Sequence, residues 1–388
     1  VAYLDHAASS PLRPAARDAW RRAHDGPLGN PSGAHAAARR AKGLLEEARE
    51  RIAARCAVDP GAVIFTSGGT EADALAVRGA LEGARAAGAK SPAVVVSAVE
   101  HKAVLAAAAR AAAAGVEVRR ARVDRDGVVD LDHLAALLDE RVAVVSVLTV
   151  NNETGVIQPL AEVGALVRDR APGARLHTDA VQGAVWCDPA EACRVADLVS
   201  LSAHKFGGPV GVGALVRPTG AALVPIIEGG GQERGLRAGT PAVAAALAFA
   251  AALDDSLERR GDDLARLRAW RDRLEAGFAA ARPGAWVNGS GAPRVAGITN
   301  VGFPGVEADL LVAMLDAVGV CASTGSACAS GAPEPSHVLS AMGLEPTEAR
   351  ACVRFSLGWS TTVADVDLAG RVVPEVVGEL VAGLAAAP

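Results

Sequence analysis

Asp197-Leu198-Val199-Ser200-Leu201-Ser202-Ala203-His204-Lys205-Phe206-Gly207-Gly208 is the stretch that decides how this chain reads. An apolar run of strand length ends at Ser202, and a lysine follows just ahead of a Gly-Gly-Pro turn. The segment therefore predicts a buried strand that delivers an amine to its carboxyl end. The chain has only four lysines, Lys42, Lys90, Lys102 and Lys205, among 39 Lys and Arg side chains. An amine at the mouth of a buried strand loses hydration, its pKa falls, and it becomes a candidate Schiff-base nucleophile. A lysine that merely snorkels at a sheet end fits the same pattern, so both readings stand at this point.

The same rhythm continues on either side. Val63–Thr66, Val94–Ser97, Val116–Val123, Val142–Leu148, Ala174–Thr178 and Val212–Val216 read as further strands. Helical patterns over Ala15–His24, Ala34–Cys56, Glu71 to about Ala87, His101–Gly115, Asp130–Asp139 and Leu160–Arg170 lie between them. Such alternation predicts an α/β fold built on a large, mostly parallel sheet covered on both faces. Ligands of such sheets bind beyond the carboxyl ends of the strands, where Thr70, His101, Asn152, Asp179 and Lys205 fall. A helical stretch from Thr240 to about Ala281, with charge concentrated over Asp254–Arg273, marks the expected domain change. The strand Ile298–Phe303, the helix Glu307–Val318, the strand Val353–Leu357 and a last helix to Ala386 would form a smaller α+β unit. The expected division is 13–257 for the large domain, with 1–12 and 258–388 in the small one.

Composition narrows the functional classes. Half of the 388 residues are apolar (51%), but aromatics are only 3%, which favours helices packed closely on a sheet. A formal charge of −5 leaves no electrostatic footprint for nucleic acid or an anionic membrane. The longest apolar run, Pro241–Leu253, is too short and too rich in alanine to cross a bilayer. Val1-Ala2-Tyr3-Leu4-Asp5-His6 carries an acid where a signal peptide would carry basic residues, so a soluble, cytoplasmic protein is expected. Six scattered cysteines, without a C-x-x-C pair, suggest neither a disulfide framework nor a structural zinc site, and no metal is expected.

Phosphate chemistry has one candidate. Ser67-Gly68-Gly69-Thr70-Glu71 joins a strand to a helix, and free N–H groups and the helix dipole favour an anion there. The stretch lacks both G-x-x-x-x-G-K and G-x-G-x-x-G, so no nucleotide is indicated, and a plain tight turn reads equally well.

These pieces, in this order, resemble the cysteine desulfurases of the IscS/NifS-like group, within the class V branch of the pyridoxal-phosphate enzymes with the aspartate aminotransferase-like fold (fold type I). The resemblance rests on Asp5-His6-Ala7-Ala8, Gly29-Asn30-Pro31, Thr66 to Glu71, Glu100-His101-Lys102, Val150-Asn151-Asn152-Glu153 and His177 to Gln182. It continues through Ser202 to Lys205, Gly229 to Thr240, Gly325-Ser326-Ala327-Cys328 and Arg354 to Gly358. It implies that Lys205 holds pyridoxal 5'-phosphate as a Schiff base and that Asp179 pairs with the ring nitrogen. It further implies that His101 stacks on the ring and shuttles protons, and that Gln182 bonds the phenolic oxygen. Gly69, Thr70, Ser202 and His204 would hold the phosphate, and Thr240 would reach the phosphate of a neighbouring subunit, which implies a homodimer. Arg354, helped by Asn152, would clamp the substrate carboxylate.

Cys328 decides among the chemistries of this cofactor. It lies among small residues, Ala322 to Pro333, with no apolar periodicity, in a loop spanning about 322–336. A core cysteine would have large apolar neighbours, whereas a thiol in such a loop suits a nucleophile that collects and carries sulfur. The resemblance implies conversion of L-cysteine to L-alanine, with a persulfide on Cys328 passed to a sulfur-acceptor protein, as in iron–sulfur cluster assembly. Another class V enzyme, such as an aminotransferase or selenocysteine lyase, and a non-catalytic sulfur carrier are the alternatives. Four departures stand out from the resemblance: His6, Ala74 and Ala203 occupy positions where other residue types are expected, and Gly208-Pro209-Val210-Gly211 lacks the lysine often seen there.

Overall fold

The structure is a computed structural model that describes residues 1–325 and 335–385. In chain order its strands are β1 (Ala2–Tyr3), β2 (Val63–Thr66), β3 (Ala93–Ser97), β4 (Glu117–Ala121), β5 (Val142–Ser146) and β6 (Arg175–Asp179). They continue as β7 (Leu198–Ser202), β8 (Gly213–Val216), β9 (Trp286–Val287), β10 (Ile298–Gly302), β11 (Val320–Cys321) and β12 (Cys352–Ser356).

A seven-stranded sheet runs in the order β2-β8-β7-β6-β5-β3-β4. Every pairing from β4 through β7 is parallel, as the alternation with helices predicts. Only β8 is antiparallel to its neighbours, β7 and β2. Its direction follows from chain length. A parallel crossover needs a dozen or more residues, and the few between Ser202 and Gly213 permit only a direct return.

The parallel strands alternate between two apolar layers, although both are buried. Val95, Val145, Leu176, Val199 and Leu201 face one layer, while Val94, Val96, Val144 and Leu198 face the other. This two-sided burial explains their near-continuous Val and Leu runs.

A second core gathers β1, β10, β11, β12 and the last helix, Val363–Ala385. Three of the chain's few aromatics meet there, with Phe278 5.9 Å from Phe303 and 5.1 Å from Phe355 between ring centroids. Burying each such ring contributes roughly 1.5–3 kcal/mol. β10 pairs antiparallel with β12 and β9, whereas β1 pairs in parallel with β11. β9 has only two residues and no alternation, which is why the sequence does not reveal it.

One helix, Val243–Ala281, links the two cores. Its alanine-rich start, Val243–Leu253, is buried against the sheet, and Leu267, Leu274 and Phe278 enter the second core. The expected boundary between 257 and 258 thus lies inside a continuous helix. Among the described residues, no helix is long and apolar enough to cross a membrane.

Candidate active site

The carboxyl ends of β6 and β7 open into a cavity of about 280 Å³. Asp179 is the last residue of β6, and Lys205 lies in the single turn Ala203–Phe206 that follows β7. Gly69, Thr70, His101, Asn152, Gln182, Ser202 and His204 line the same cavity, so nine expected residues share one space with Asp179 and Lys205 counted among them. Nearly 140 residues of sequence separate Gly69 from Lys205, and the sheet brings them together.

The N-terminal arm closes one wall. Lys205 Nζ donates to the carbonyls of Ala7 (2.7 Å) and Ala8 (2.9 Å), and Gln182 Nε2 donates to Ala7 as well (2.7 Å). These carbonyls aim the amine and set its position within the cavity. Asp179 accepts from the Val181 N–H at 2.8 Å. Burial raises its pKa, but His101, that N–H and Lys205 oppose the rise. A carboxylate so placed keeps its charge when a cation faces it.

His101 caps the helix Lys102–Ala113, and its Nδ1 accepts from the Ala103 N–H at 3.2 Å. The neutral ring must therefore carry its proton on Nε2. Burial lowers the His101 pKa against the pull of Asp179, which favours that neutral form. His204 is likewise lowered to about 4, first by burial and then by Lys205. It therefore serves at neutral pH as an uncharged hydrogen-bonding group.

The donor set fits pyridoxal phosphate. An amine suits its aldehyde, a carboxylate suits its pyridine nitrogen, and the hydroxyls of Thr70 and Ser202 suit its phosphate. Gly69 leaves the wall thin: a Cβ there would lie 2.7 Å from Val181 Cγ2 and 3.4 Å from Ser202 Cβ. Side-chain atoms of Asp73, His101 and Asp179 also lie within 4.8 Å of one another. A metal on His101 Nε2 would have to displace the proton that the Ala103 contact assigns there, so this cluster suits hydrogen bonding better.

Two expected residues lie outside the cavity lining. Arg354 is buried on β12 and donates through Nη2 to Asp5 (2.7 Å) and through Nη1 to the Asn152 carbonyl (2.9 Å). Thr240 is exposed. Cys328 lies outside the described residues. On either side of it, Gly325 N donates to Ser323 Oγ (3.2 Å), and Ser336 Oγ donates to Glu153 (2.6 Å).

The model of the aminotransferase class-V family matches residues 2–368. The chain belongs to that family. This class-V chain is 41% identical over 378 residues to an "IscS-like cysteine desulfurase" of Mycobacterium tuberculosis, covering 96% of this chain and 95% of the relative. It is 38% identical over 355 residues to the "Cysteine desulfurase NifS" of Azotobacter vinelandii, covering 91% and 87%. A solved "NIFS-LIKE PROTEIN" superposes with a TM-score of 0.90 at 30% identity, covering 97% of this chain and 99% of the other. The fold-type-I architecture expected for a class-V enzyme is therefore the one this chain has.

Sequence reasoning missed Asp73, Glu100 and His177 as individual groups around the class-V site. Asp73 carries a local signal: it shares a helix with the buried Ala72, Leu75 and Ala76 on its inward side. Asp5 carries none, because its contact with Arg354 depends on the opposite end of the chain.

Proposed function

We propose that this class-V family member is a pyridoxal-phosphate-dependent cysteine desulfurase that converts L-cysteine to L-alanine and carries the sulfur away on Cys328. The observation that supports this most is the meeting of the Lys205 amine and the buried Asp179 carboxylate in one hydroxyl-lined cavity. When bound, the cofactor supplies an aldehyde that captures amino groups and a ring that accepts the electron pair of the Cα–H bond.

The chain's own residues divide the remaining work. Lys205 is the base that takes the Cα proton of the substrate, held within reach by the Ala7 and Ala8 carbonyls. Asp179 would pair its negative charge with the ring nitrogen of the cofactor. His101, with its proton on Nε2, would stack on the cofactor ring, and Gln182 would hydrogen-bond the phenolic oxygen. Thr70, Ser202, His204 and the Gly69 backbone would hold the phosphate, with Thr240 of a second subunit completing the site in a homodimer. Arg354 and Asn152 bind the substrate carboxylate. The Cys328 thiolate bonds to the substrate sulfur as its bond to carbon breaks. The products are a Cys328 persulfide and, after protonation at carbon, alanine. A sulfur-acceptor protein, as in iron–sulfur cluster assembly or thiolation, then takes the terminal sulfur.

Mass spectrometry of the protein after incubation with L-cysteine tests the proposal. A sulfur adduct on the peptide containing Cys328, with one alanine formed per adduct, is expected. Wild-type sulfide release by Cys328→Ala would sink the assigned nucleophile.

A further inference from the structure

Along the cavity floor, with Asp73 in its lining, runs a line of buried polar side chains that the proposed reaction does not use. His177 stands two residues before Asp179 on β6 and so points to the same face of the sheet. Its Nδ1 lies 2.9 Å from Ser146 Oγ on β5, and its Nε2 lies 2.9 Å from Ser200 Oγ on β7. Ser200 in turn lies against Asp73, and Ser146 against Glu100. Glu100, Ser146, His177, Ser200 and Asp73 therefore form one line across three strands, each at most 1% exposed.

Charge accounting in this line leaves room for little negative charge. Asp73 Oδ1 and Glu100 Oε2 have no hydrogen-bond partner among the described residues. An ionised carboxylate with a bare buried oxygen is far costlier than the neutral acid. Side-chain oxygens of Asp73 and Asp179 also lie within 4.8 Å, and two carboxylates so close and so little exposed do not both ionise.

The neighbours decide which one does. Asp179 faces His101 and Lys205 and accepts the Val181 N–H. Asp73 faces Asp179 and His177 from β6, Ser200 from β7 and His101 across the cavity. Glu100 faces Asp179, Ser146 and the Leu148 N–H, which donates to it at 2.7 Å. His177 brings no positive charge, since burial lowers it to about 3. Burial, reinforced by the charge on Asp179, raises both other acids well above the ordinary carboxyl range.

We propose that Asp73 and Glu100 are neutral carboxylic acids at the two ends of this side-chain line, so that Asp179 is the sole carboxylate on the cavity floor. They act as positioning residues: they fix where the negative charge sits without touching substrate. Only their consequence for the ring nitrogen rests on the cofactor reading above.

The test uses the full chain purified with its cofactor. Infrared difference spectra at pH 7 are expected to show protonated carboxyl C=O bands that vanish one at a time in Asp73→Asn and Glu100→Gln. Asn and Gln mimic the neutral acids, so the fold is kept, and either variant alone suffices should the other fail to fold.

A second readout is the pH dependence of urea unfolding between pH 7 and 8. Each proton held by the folded state and released on unfolding makes the unfolding constant rise ten-fold per pH unit. Each variant is expected to remove one such factor of ten. Missing carboxyl bands in the wild type, or an unchanged slope in both variants, would overturn the proposal. Absence of the cofactor's visible absorbance from wild-type protein, with the carboxyl bands present, would instead refute the cofactor reading and leave the neutral acids standing.

Discussion

Replacing Glu233 by alanine should destabilise the fold by about 3–5 kcal/mol, because it strands a buried arginine. Arg49, from the helix Ala36–Cys56, makes a bidentate pair with Glu233 at 2.8 and 2.9 Å, and both side chains are at most 4% exposed. Glu233 also accepts the Phe65 N–H at 3.0 Å, so the substitution orphans a backbone donor of β2 as well. The guanidinium retains only the Val63 carbonyl at 2.7 Å, the face of Phe65 and the peripheral Glu46. Glu233 and Arg234 both adopt left-handed backbone conformations, at φ 47° and 59°. Each such residue costs about 1–3 kcal/mol, so the ion pair pins a segment that would otherwise relax. Urea unfolding at pH 7 measures the effect through the midpoint at constant slope. The double variant Arg49→Met/Glu233→Leu should lose much less than the two single losses added, because no charge is then left alone. A loss below about 1 kcal/mol for Glu233→Ala would refute the claim that this pair is buried and mutually dependent.

Other outcomes follow from the same structure. Lys205→Ala should abolish the cofactor's characteristic absorbance and cut alanine formation by about 10³-fold or more, as ultraviolet–visible spectra and amino-acid analysis would show. Arg354→Lys should raise the KM for L-cysteine at least about ten-fold while leaving cofactor absorbance intact, since an ammonium cannot reproduce the planar fork; an unchanged KM would remove Arg354 from the substrate site. His6 is lowered to about 4, chiefly by burial and then by Arg13. Its neutral form is favoured by folding, so its contribution is complete above the unfolded value near 6.5 and is lost as pH falls toward 4. His6→Asn should therefore flatten the acid-side stability profile near pH 5 by about 1.4 kcal/mol per pH unit, measured by denaturant titration at successive pH values.

Much of this architecture is local in origin. Runs such as Val142–Ser146 and Leu198–Ser202 are apolar throughout, and helical periods separate them, so a parallel sheet was legible before any contact was known. The same logic placed Lys205 and Asp179 at strand ends, and strand ends on one side of a parallel sheet open into one space. Gln182, Ser202 and His204 followed because they stand within three residues of those two.

Contacts between distant parts of the chain followed another rule. Arg354 and Asp5 are 349 residues apart, and their pairing depends on the parallel bridge between Asp5 and Ser356. Similarly, the carbonyls that hold the Lys205 amine come from the N-terminal arm.

Periodicity and turn chemistry, being short-range, determined the strands, the helices and the address of the reactive amine. Solvent exclusion and the proximity of charges are properties of the packed interior. They alone decided that Asp73 and Glu100 are buried close to Asp179, that His101 presents its Nε2 proton, and that Thr240 stands outside the cavity. An aspartate in a sequence has no pKa of its own; the folded neighbours that desolvate it supply one.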